Sequence, residues 1–399
     1  MNLLGTFSSL RKGPLQGLLR RSARQGSLVL LVAVAVGWAA VAPGASAQRI
    51  AKYGADFLAG GVGARALGMG GTHVALAQDV TAAYWNPAGL HQLQYPEIAY
   101  MHVERFAGAV SFDYGGAALP VTEQSTVSFS FFRSGVNDIV NTLEAWDPAL
   151  DQPKPNYESF ITRFSAADYA FFLGYARHVT EGFTVGLTGK VVRRTIGDFA
   201  DAWGYSFDLG AQYRTERLRL GVNLQDLSTM LQSWSVNPDA FQATDGDGTP
   251  IPFEDAFGQD LPEGGTELVL PVVRFGSGVV LPVAEAHQVT LGADLDLAFD
   301  GQQAFVPNIG DVSFHPRVGG EYAYKEVVAL RAGINRIQVG DAIGLDVTPS
   351  LGAGLTLQQL SIDFSFGDFA GLAAEDLGYS YRISAQLRLE QPGLKRGGK

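Results

Sequence analysis

From residue 95 onward, apolar and polar residues alternate along the chain. In the segment "DAWGYSFDLGAQYR", apolar side chains occupy every second position from Trp203 to Tyr213, and small or polar residues occupy the positions between them. The segments 290–299, 360–366 and 379–389 repeat this pattern. Successive side chains of a β-strand point to opposite faces, so the pattern predicts strands with one apolar face and one wet face.

A soluble β-sandwich and a membrane β-barrel both have such strands, and the connections favour the barrel. About fourteen segments between 95 and 389 have strand character, within the range known for membrane barrels. Connections after even strands are short, such as "TEG" and "KE", whereas most connections after odd strands are long, above all the one between Asp226 and Glu267. Short turns at one rim and long loops at the other are typical of outer-membrane barrels. We therefore predict an all-β fold, an antiparallel transmembrane barrel of about fourteen strands, surrounded by outer-membrane lipid.

A barrel of this size needs something inside it. Eight strands enclose a lumen that side chains fill, and sixteen or more leave an aqueous channel. The preceding segment, 48–94, is rich in Gly and Ala and contains "DVTAAYWNPAGL". Asp79 is suited to cap a short turn, and Asn86 followed by Pro87 is suited to begin another. We predict that 48–94 is a short helical or irregular plug (hatch) in the lumen, and that 95–389 is the barrel.

The two ends of the chain and its net charge indicate where the protein is located. Residues 1–47 have a basic start, an apolar run of the length of a signal peptide core, and small residues before a predicted cut at Ala47. The chain has no Cys and a net charge of −11, and because the leader carries five basic residues and no acid, the mature chain carries −16. This charge argues against a nucleic-acid partner. The tail, 390–399, is Gly- and Lys-rich and is predicted to be disordered.

The segment Gly54–Leu90 resembles the amino-terminal signature of the PorV/PorQ family of bacterial outer-membrane proteins and, more loosely, the hatch of FadL-type fatty-acid transporters. The resemblance implies a fourteen-stranded barrel with an internal hatch. The predicted hatch residues are Gly63, Arg65, Ala66, Gly68, Gly70, Gly71, Asp79, Trp85, Asn86, Pro87 and Ala88. Arg65 is expected to pair with Asp79 or with a lumen acid such as Asp208, because a buried cation must be matched.

Three functions fit this prediction. A PorV-like protein would support type IX protein secretion, binding secretion proteins or exported cargo through its long outer loops. A FadL-like protein would be a passive channel for small hydrophobic molecules, with a gated pocket and a bend or gap in the wall, for which the Gly-rich "VVRFGSGVVL" (272–281) is a candidate. The third possibility is a purely structural barrel.

Enzymatic and cofactor sites find little support in the sequence. The six His residues lack metal-ligand spacing, and no G-x-S-x-G elbow is present, although a Ser–His pair assembled across strands would not be visible. "GGVGARA" matches a dinucleotide loop, but no hydrophobic strand precedes it. Asp245 and Asp247 of "DGDG" are weak calcium candidates without the full EF-hand spacing. We expect no enzyme activity, no catalytic residues, no cofactor and no metal.

Overall fold

The computed structural model describes residues 56–105, 108–148, 150–228, 230–241, 243–244, 248–261, 264–299, 312–340, 344–367 and 380–397. The predicted signal peptide, 1–47, and the calcium candidates Asp245 and Asp247 lie outside these residues.

Within the described residues, fourteen antiparallel strands form a closed barrel. Each strand pairs with its neighbours in the chain, and the last pairs with the first, with Leu387 opposite Ile98. The predicted fold class and strand number are confirmed. The strands are β1 Glu97–Arg105, β2 Val110–Pro120, β3 Ser125–Asn141, β4 Thr162–Thr180, β5 Phe183–Ile196, β6 Ala200–Arg214, β7 in two segments (β7a Leu218–Gln225, β7b Met230–Val236), β8 in two segments (β8a Thr266–Val269, β8b Val272–Ala284), β9 His287–Ala298, β10 Ser313–Tyr324, β11 Val328–Gly340, β12 Gly344–Leu357, β13 Leu360–Gly367 and β14 Ser380–Arg388.

The alternation along the strands separates the two faces of the wall. On β6 the side chains of Trp203, Tyr205 and Phe207 are exposed on the outside, whereas Ser206 and Asp208 are buried in the lumen. The same division on the other strands gives the barrel an apolar outer surface, as a barrel in lipid requires. Every backbone amide within a closed barrel can pair with a neighbouring strand, so the wall tolerates hydrocarbon. No described helix is long and apolar enough to cross a membrane.

The short helices lie in the plug and in the connections. The plug contains a 3₁₀-helix Asp56–Gly60, α1 Ala64–Gly68, α2 Ala82–Trp85 and a 3₁₀-helix Pro87–Gln92. Further helices are Leu143–Ala145, Tyr157–Phe160, Pro238–Phe241, α3 Phe253–Phe257 and Pro392–Leu394, and two small ladders pair Trp146–Asp147 with Gln152–Pro153 and Ala243–Thr244 with Pro250–Ile251. Helices this short are unstable alone, so the plug owes its conformation to the wall around it.

We call the rim with the long connections the outer rim and the rim with the short turns the inner rim. Two expectations about the connections were wrong. The predicted loop after Asp226 contains the second half of β7 and the start of β8, because β6 is long enough to pair with both segments of β7. The connection between β11 and β12 is short, since β11 reaches Gly340 and β12 begins at Gly344.

Candidate functional site: the plug and the lumen around it

The plug is tied to the wall by a chain of alternating charges that starts at Arg65. Arg65 on α1 donates two hydrogen bonds of 2.9 Å to the carboxylate of Glu321 on β10. Glu321 also accepts from Arg331 at 2.6 Å, and Arg331 reaches Asp363 at 2.7 Å. The neighbouring Glu321 raises the pKa of Arg65 above its ordinary value, so the guanidinium stays charged. Arg65 thus pairs with a lumen acid as expected, but neither Asp79 nor Asp208 is its partner.

The predicted plug glycines lie where backbone approaches backbone. Gly70 has a φ of 69°, and a Cβ placed on it would lie 2.7 Å from the backbone nitrogen of Ile334 on β11. A Cβ on Gly68 would lie 3.0 Å from the Cα of Gly352 on β12. Gly63 and Gly71 also have positive φ values, of 82° and 71°. A larger residue at Gly68 or Gly70 would separate the plug from the wall, whereas one at Gly63 would meet Thr81 within the plug.

The second half of the plug is organised by the predicted Asp79 and Trp85. The Asp79 carboxylate accepts from the backbone nitrogen of Thr81 at 2.8 Å and so fixes the turn that leads into α2. The indole nitrogen of Trp85 donates to the carbonyl of Val62 at 2.9 Å. Tyr84 also donates, through its hydroxyl, to the carbonyl of Leu58. These two rings hold the amino-terminal part of the plug against α2.

Asn86 joins three backbone segments in the centre of the lumen. Its side-chain oxygen accepts from the backbone nitrogen of Ala88 at 3.2 Å, so Asn86 caps the helix in which Pro87 is the first residue, as the sequence predicts. Its amide nitrogen lies 2.9 Å from the carbonyl oxygen of Val74, and 3.1 and 3.2 Å from those of two wall residues, on β6 and β7. Asn86 is fully buried among these carbonyls. The apolar pocket that the uptake hypothesis expects is therefore not beside it.

The sequence analysis did not identify the wall glycines that contact the backbone of the plug. A Cβ on Gly319 would lie 2.0 Å from the carbonyl oxygen of Met69, and one on Gly186 would lie 2.3 Å from the carbonyl carbon of Pro87. Glycine has no side chain to fill the gap, so strand and plug backbones come into contact. The inward-facing glycines in such contact with plug backbone are Gly186, Gly221, Gly276, Gly319, Gly333 and Gly352.

Polar wall residues complete the attachment. Asp294 on β9 accepts from the backbone nitrogens of His73 and Val74 at 2.8 and 3.0 Å. Gln212 on β6 donates to the carbonyls of Val74 and Ala77 at 3.1 and 3.2 Å. Burial lowers the pKa of His73 to about 4, so its ring is neutral near pH 7. The wet-face alternation indicated that Asp294 and Gln212 face inward, but no sequence signal links them to the plug.

The plug divides the lumen into two unlike regions. Towards the outer rim, Gly60 and Gly61 of the plug face apolar side chains of β1–β3 and two arginines, Arg105 and Arg382, around a narrow cavity of about 10 Å³. Arg105 donates to Ser380 at 3.2 Å, and Arg382 donates to the carbonyl of Gly367 at 3.0 Å. The apolar side chains around this narrow cavity are Met101, Val103, Phe112 and Phe132, and Phe57 of the plug packs against Phe132.

Towards the inner rim the plug faces a polar cavity of about 560 Å³. Arg65, Glu321, Arg331 and Asp363 line it, and so does Glu326 in a short turn. A volume of this size is typical of a small-molecule site, but apolar ligand sites are lined mainly by apolar side chains. Its further polar lining includes Gln78, Gln92, Gln94, Gln288 and Gln386.

The tail differs from the predicted disordered end, because it folds back under the plug as far as Gly397. The guanidinium of Arg396 donates to the carbonyl of Leu93 from Nε at 3.0 Å and from Nη2 at 2.9 Å. Its Nη1 lies 3.1 Å from Nδ1 of His91, and its backbone nitrogen donates to Gln94. The pKa of His91 is lowered to about 4, mainly by burial and to a smaller extent by the positive charge of Arg396. The hydrogen bonds of Arg396 therefore hold the tail against the last residues of the plug, just before β1 begins.

The ladder of the wall is interrupted at β7. Residues 206–208 of β6 lie between the part that pairs with β7b and the part that pairs with β7a, and there the backbone nitrogen of Leu227 still donates to the carbonyl of Phe207 at 2.8 Å. Asp226 turns the chain there with a φ of 54°. Buried Lys190 of β5 bridges Asp208 at 2.8 Å and Asp226 at 2.6 Å, and Leu227 beside them is exposed outside. The predicted kink in 272–281 was wrong: the pairing of β8b is regular over these residues, and its register shifts beyond them, between Pro282 and Ala284. A Cβ on Gly276 would lie 2.7 Å from the backbone nitrogen of Ala75 in the plug.

Other chemistry finds no accessible site in the described part of the chain. Ser313 and His315 are in contact, with Oγ and Nε2 3.1 Å apart, but Ser313 is fully buried, so a substrate carbonyl has no access to it. His91 and His178 stack with ring centres 5.3 Å apart. Among the described residues, no group of three or more His, Asp or Glu side chains is arranged to hold a metal.

Comparison with known proteins shows the fold. No protein-family model matches the chain, and no curated protein matches it. The structure is similar to the CymD monoaromatic hydrocarbon channel, with 15% identity over 83% of this chain and 98% of that chain and a TM-score of 0.50. It also matches the Ralstonia pickettii toluene transporter TbuX (14%, 83% and 99%, TM-score 0.49) and a Pseudomonas aeruginosa FadL homologue (12%, 82% and 98%, TM-score 0.44).

The likeness to CymD shows that the chain shares the fold of that channel. This agrees with the FadL-like part of the predicted resemblance. None of the three structures is a PorV/PorQ protein, so that part of the resemblance, and the type IX secretion role implied by it, gains no support and stays a prediction.

Proposed function

We propose that the protein is an outer-membrane channel for the passive uptake of small apolar molecules, without an enzymatic step. The apolar side chains at the outer side of the plug support this proposal, because Phe112, Phe132 and Met101 can bury an apolar molecule away from water. The cavity among them measures about 10 Å³, so these side chains must separate to admit a solute. CymD, a channel for monoaromatic hydrocarbons, has the same fold.

The exit is the interruption in β7. A plug held by ion pairs and backbone hydrogen bonds does not leave the lumen readily, and the polar inner cavity disfavours an apolar solute. The interruption between Asp208 and Asp226 lies in the wall beside buried Met230, with exposed Leu227 on the lipid side. Separation of the two β7 segments from β6 would release the solute into the membrane.

The test is uptake into vesicles that contain the purified protein. Toluene should enter faster than it enters protein-free vesicles, whereas arabinose, a polar solute of similar size, should not. Lys190→Met keeps the length of the side chain but removes its charge, so it should change the toluene rate; Lys325→Met in an inner turn is the control. Equal acceleration of toluene and arabinose would show a simple pore instead.

A second candidate is partner binding by the outer connections. Two of them, the connection 142–161 and the one between β7b and β8a, are in contact: Nζ of Lys154 donates to Oγ1 of Thr244 at 2.6 Å. Phe199, Phe241 and Phe253 form a continuous row, with ring centres 5.0 and 5.6 Å apart. Ordered loops suit a protein partner such as exported cargo. Cross-linking in whole cells followed by purification in detergent tests this: recovery of secretion components favours it, and their absence removes it.

A further inference from the structure

A polar patch interrupts the apolar outer surface of the barrel on its first three strands. On β1, His102 and Glu104 are exposed and alternate with buried residues, so they point away from the lumen. Asp113 on β2 and Arg133 on β3 follow His102 in the same register row. We call the outward side chains of Tyr100, His102, Glu104, Asp113 and Arg133 the β1–β3 patch. On β13, by contrast, the exposed outward side chains are those of Leu360, Ile362, Phe364 and Phe366.

The β1–β3 patch lies within the wall and not at its edge. β3 continues outwards from Arg133 to Asn141, and the residues that connect β1 to β2, 106–109, are Phe, Ala, Gly and Ala. On the inner side of the patch, the apolar side chains of Ile98 and Leu119 are exposed. Charged side chains on the lipid face of a barrel are unfavourable, and more so the deeper they lie. A partner that shields the patch from hydrocarbon is therefore favoured.

Pairing inside the patch leaves one acid and one base with free bonding capacity. The carboxylate of Asp113 is matched by His102, whose Nδ1 lies 2.8 Å away. Arg133 donates from Nη1 to Ser111 at 3.3 Å and lies 3.6 Å from Asp113. Glu104 approaches His102 at 3.7 Å, which is longer than a hydrogen bond, and its side chain is 52% exposed. A guanidinium has five N–H groups and a carboxylate about four acceptor positions, so Arg133 and Glu104 can each bind a further partner.

Glu104 and Arg133 lie on opposite flanks of the patch, at nearly the same depth in the membrane. The register row of Arg133 passes through His102 and descends around the barrel, from Trp203 near the outer end of β6 to Tyr322 near the inner end of β10. Strands about 4.8 Å apart with a tilt of about 40° lower this row by about 6 Å between Arg133 and His102. Glu104 lies two residues further out on β1, which raises it by about 5 Å. The acid and the base therefore flank β2 at one height.

We propose that two copies of this chain associate in the membrane through the β1–β3 patch, with Glu104 of each copy against Arg133 of the other. Copies inserted in the same direction can be related by a two-fold axis along the membrane normal, which places each flank of a surface against the opposite flank of the other copy. Because acid and base occupy opposite flanks at one height, the patch is complementary to itself in this arrangement. Apolar side chains gain little by leaving lipid for another protein, so polar contacts guide the association. The patch faces away from the lumen, so the dimer does not depend on the channel function.

Cross-linking in membranes of cells that express the protein tests the proposal, and the chain has no Cys that would react in the background. Ser111 lies on β2 between the two flanks of the patch, so Ser111→Cys should give a covalent dimer with a short bismaleimide. Ser277 is exposed on the outer face of β8b, on the far side of the barrel, so Ser277→Cys is the matched control. Equal cross-linking of the two variants, or no cross-linking of folded Ser111→Cys protein, would overturn the dimer.

Charge reversal assigns the contact to its two residues. In the Ser111→Cys background, Glu104→Lys should lower the dimer yield on the order of tenfold, because like charges then meet at both ends of the contact. Arg133→Glu should have the same effect, and the double change of Glu104→Lys with Arg133→Glu should restore the yield. Heat-modifiable gel migration shows that each variant is folded. A folded double variant without restored yield would overturn the pairing.

Native mass spectrometry of the unmodified protein in detergent distinguishes the other occupant of the patch. Dimers support the proposal, whereas monomers that carry lipopolysaccharide would show that lipid covers the patch and would overturn the dimer. Toluene entry into vesicles should be the same for the charge-reversal variants and the unmodified protein. A failure of the dimer is therefore distinguishable from a failure of the channel.

Discussion

Replacing Gly186 with alanine should displace the plug while leaving the barrel folded. The new Cβ would lie 2.3 Å from the carbonyl carbon of Pro87 and 2.4 Å from the nitrogen of Ala88. Ordinary contacts between such atoms begin near 3.5 Å, so the plug must move by about 1 Å. That shift lengthens the two contacts of the Asn86 amide with wall carbonyls, now 3.1 and 3.2 Å, to beyond hydrogen-bonding distance.

The substitution should weaken the attachment of the plug through two free-energy costs. Each broken hydrogen bond costs about 1 kcal/mol, and overpacking adds about 1–3 kcal/mol. Conductance across planar bilayers should therefore rise for Gly186→Ala, and heat-modifiable gel migration should show that the barrel still closes. Gly189 on the same strand faces outwards, where a Cβ would meet only Phe207 at 3.6 Å, so Gly189→Ala is the control. Equal conductance of the two variants would refute the close contact between wall and plug.

Three further changes probe other attachments of the plug. Asn86→Ala should raise small-solute permeability; normal folding with unchanged permeability would remove Asn86 from any gating role. Glu321→Ala removes the carboxylate partner of Arg65, while Arg331 keeps Asp363, and should destabilise the protein by about 3–5 kcal/mol in thermal unfolding. A change below about 1 kcal/mol, the range measured for exposed ion pairs, would contradict a buried pair. His91 has a folded pKa of about 4, below its ordinary value of 6.5, so its contribution to stability should be lost as pH falls from about 6.5 to about 4. Arg396→Ala should move the His91 pKa upwards in an NMR titration, and an unmoved pKa would exclude their contact.

The wall was predictable because its physics repeats along the chain. Alternation from Trp203 to Tyr213 fixes which side chains of β6 meet lipid, and short turns fix which strands are neighbours. Asn86 and Pro87 were recognisable because helix capping depends on adjacent residues. The interruption at Asp226 was not predictable, because a non-glycine residue with positive φ leaves no mark in the pattern.

The attachment of the plug was largely hidden in the sequence. Glu321 lies 256 positions from Arg65, so nothing local pairs them. In the sequence, an inward-facing glycine such as Gly319 looks like any other small residue on the polar face of a strand. The structure shows why glycine is needed there, because the backbone of Met69 lies against it. The tail resembled a disordered end because its composition is polar, whereas a single residue, Arg396, anchors it.

The ring of inward glycines has a consequence for how the molecule is assembled. Gly186 lies in the first half of the barrel and Gly319, Gly333 and Gly352 lie in the second, yet all of them receive the same short amino-terminal segment. The surface that shapes the plug is therefore complete only after the late strands have been added. Although the plug precedes every strand in the chain, it should be among the last segments to reach its final form, and the seam between β14 and β1 should close around it.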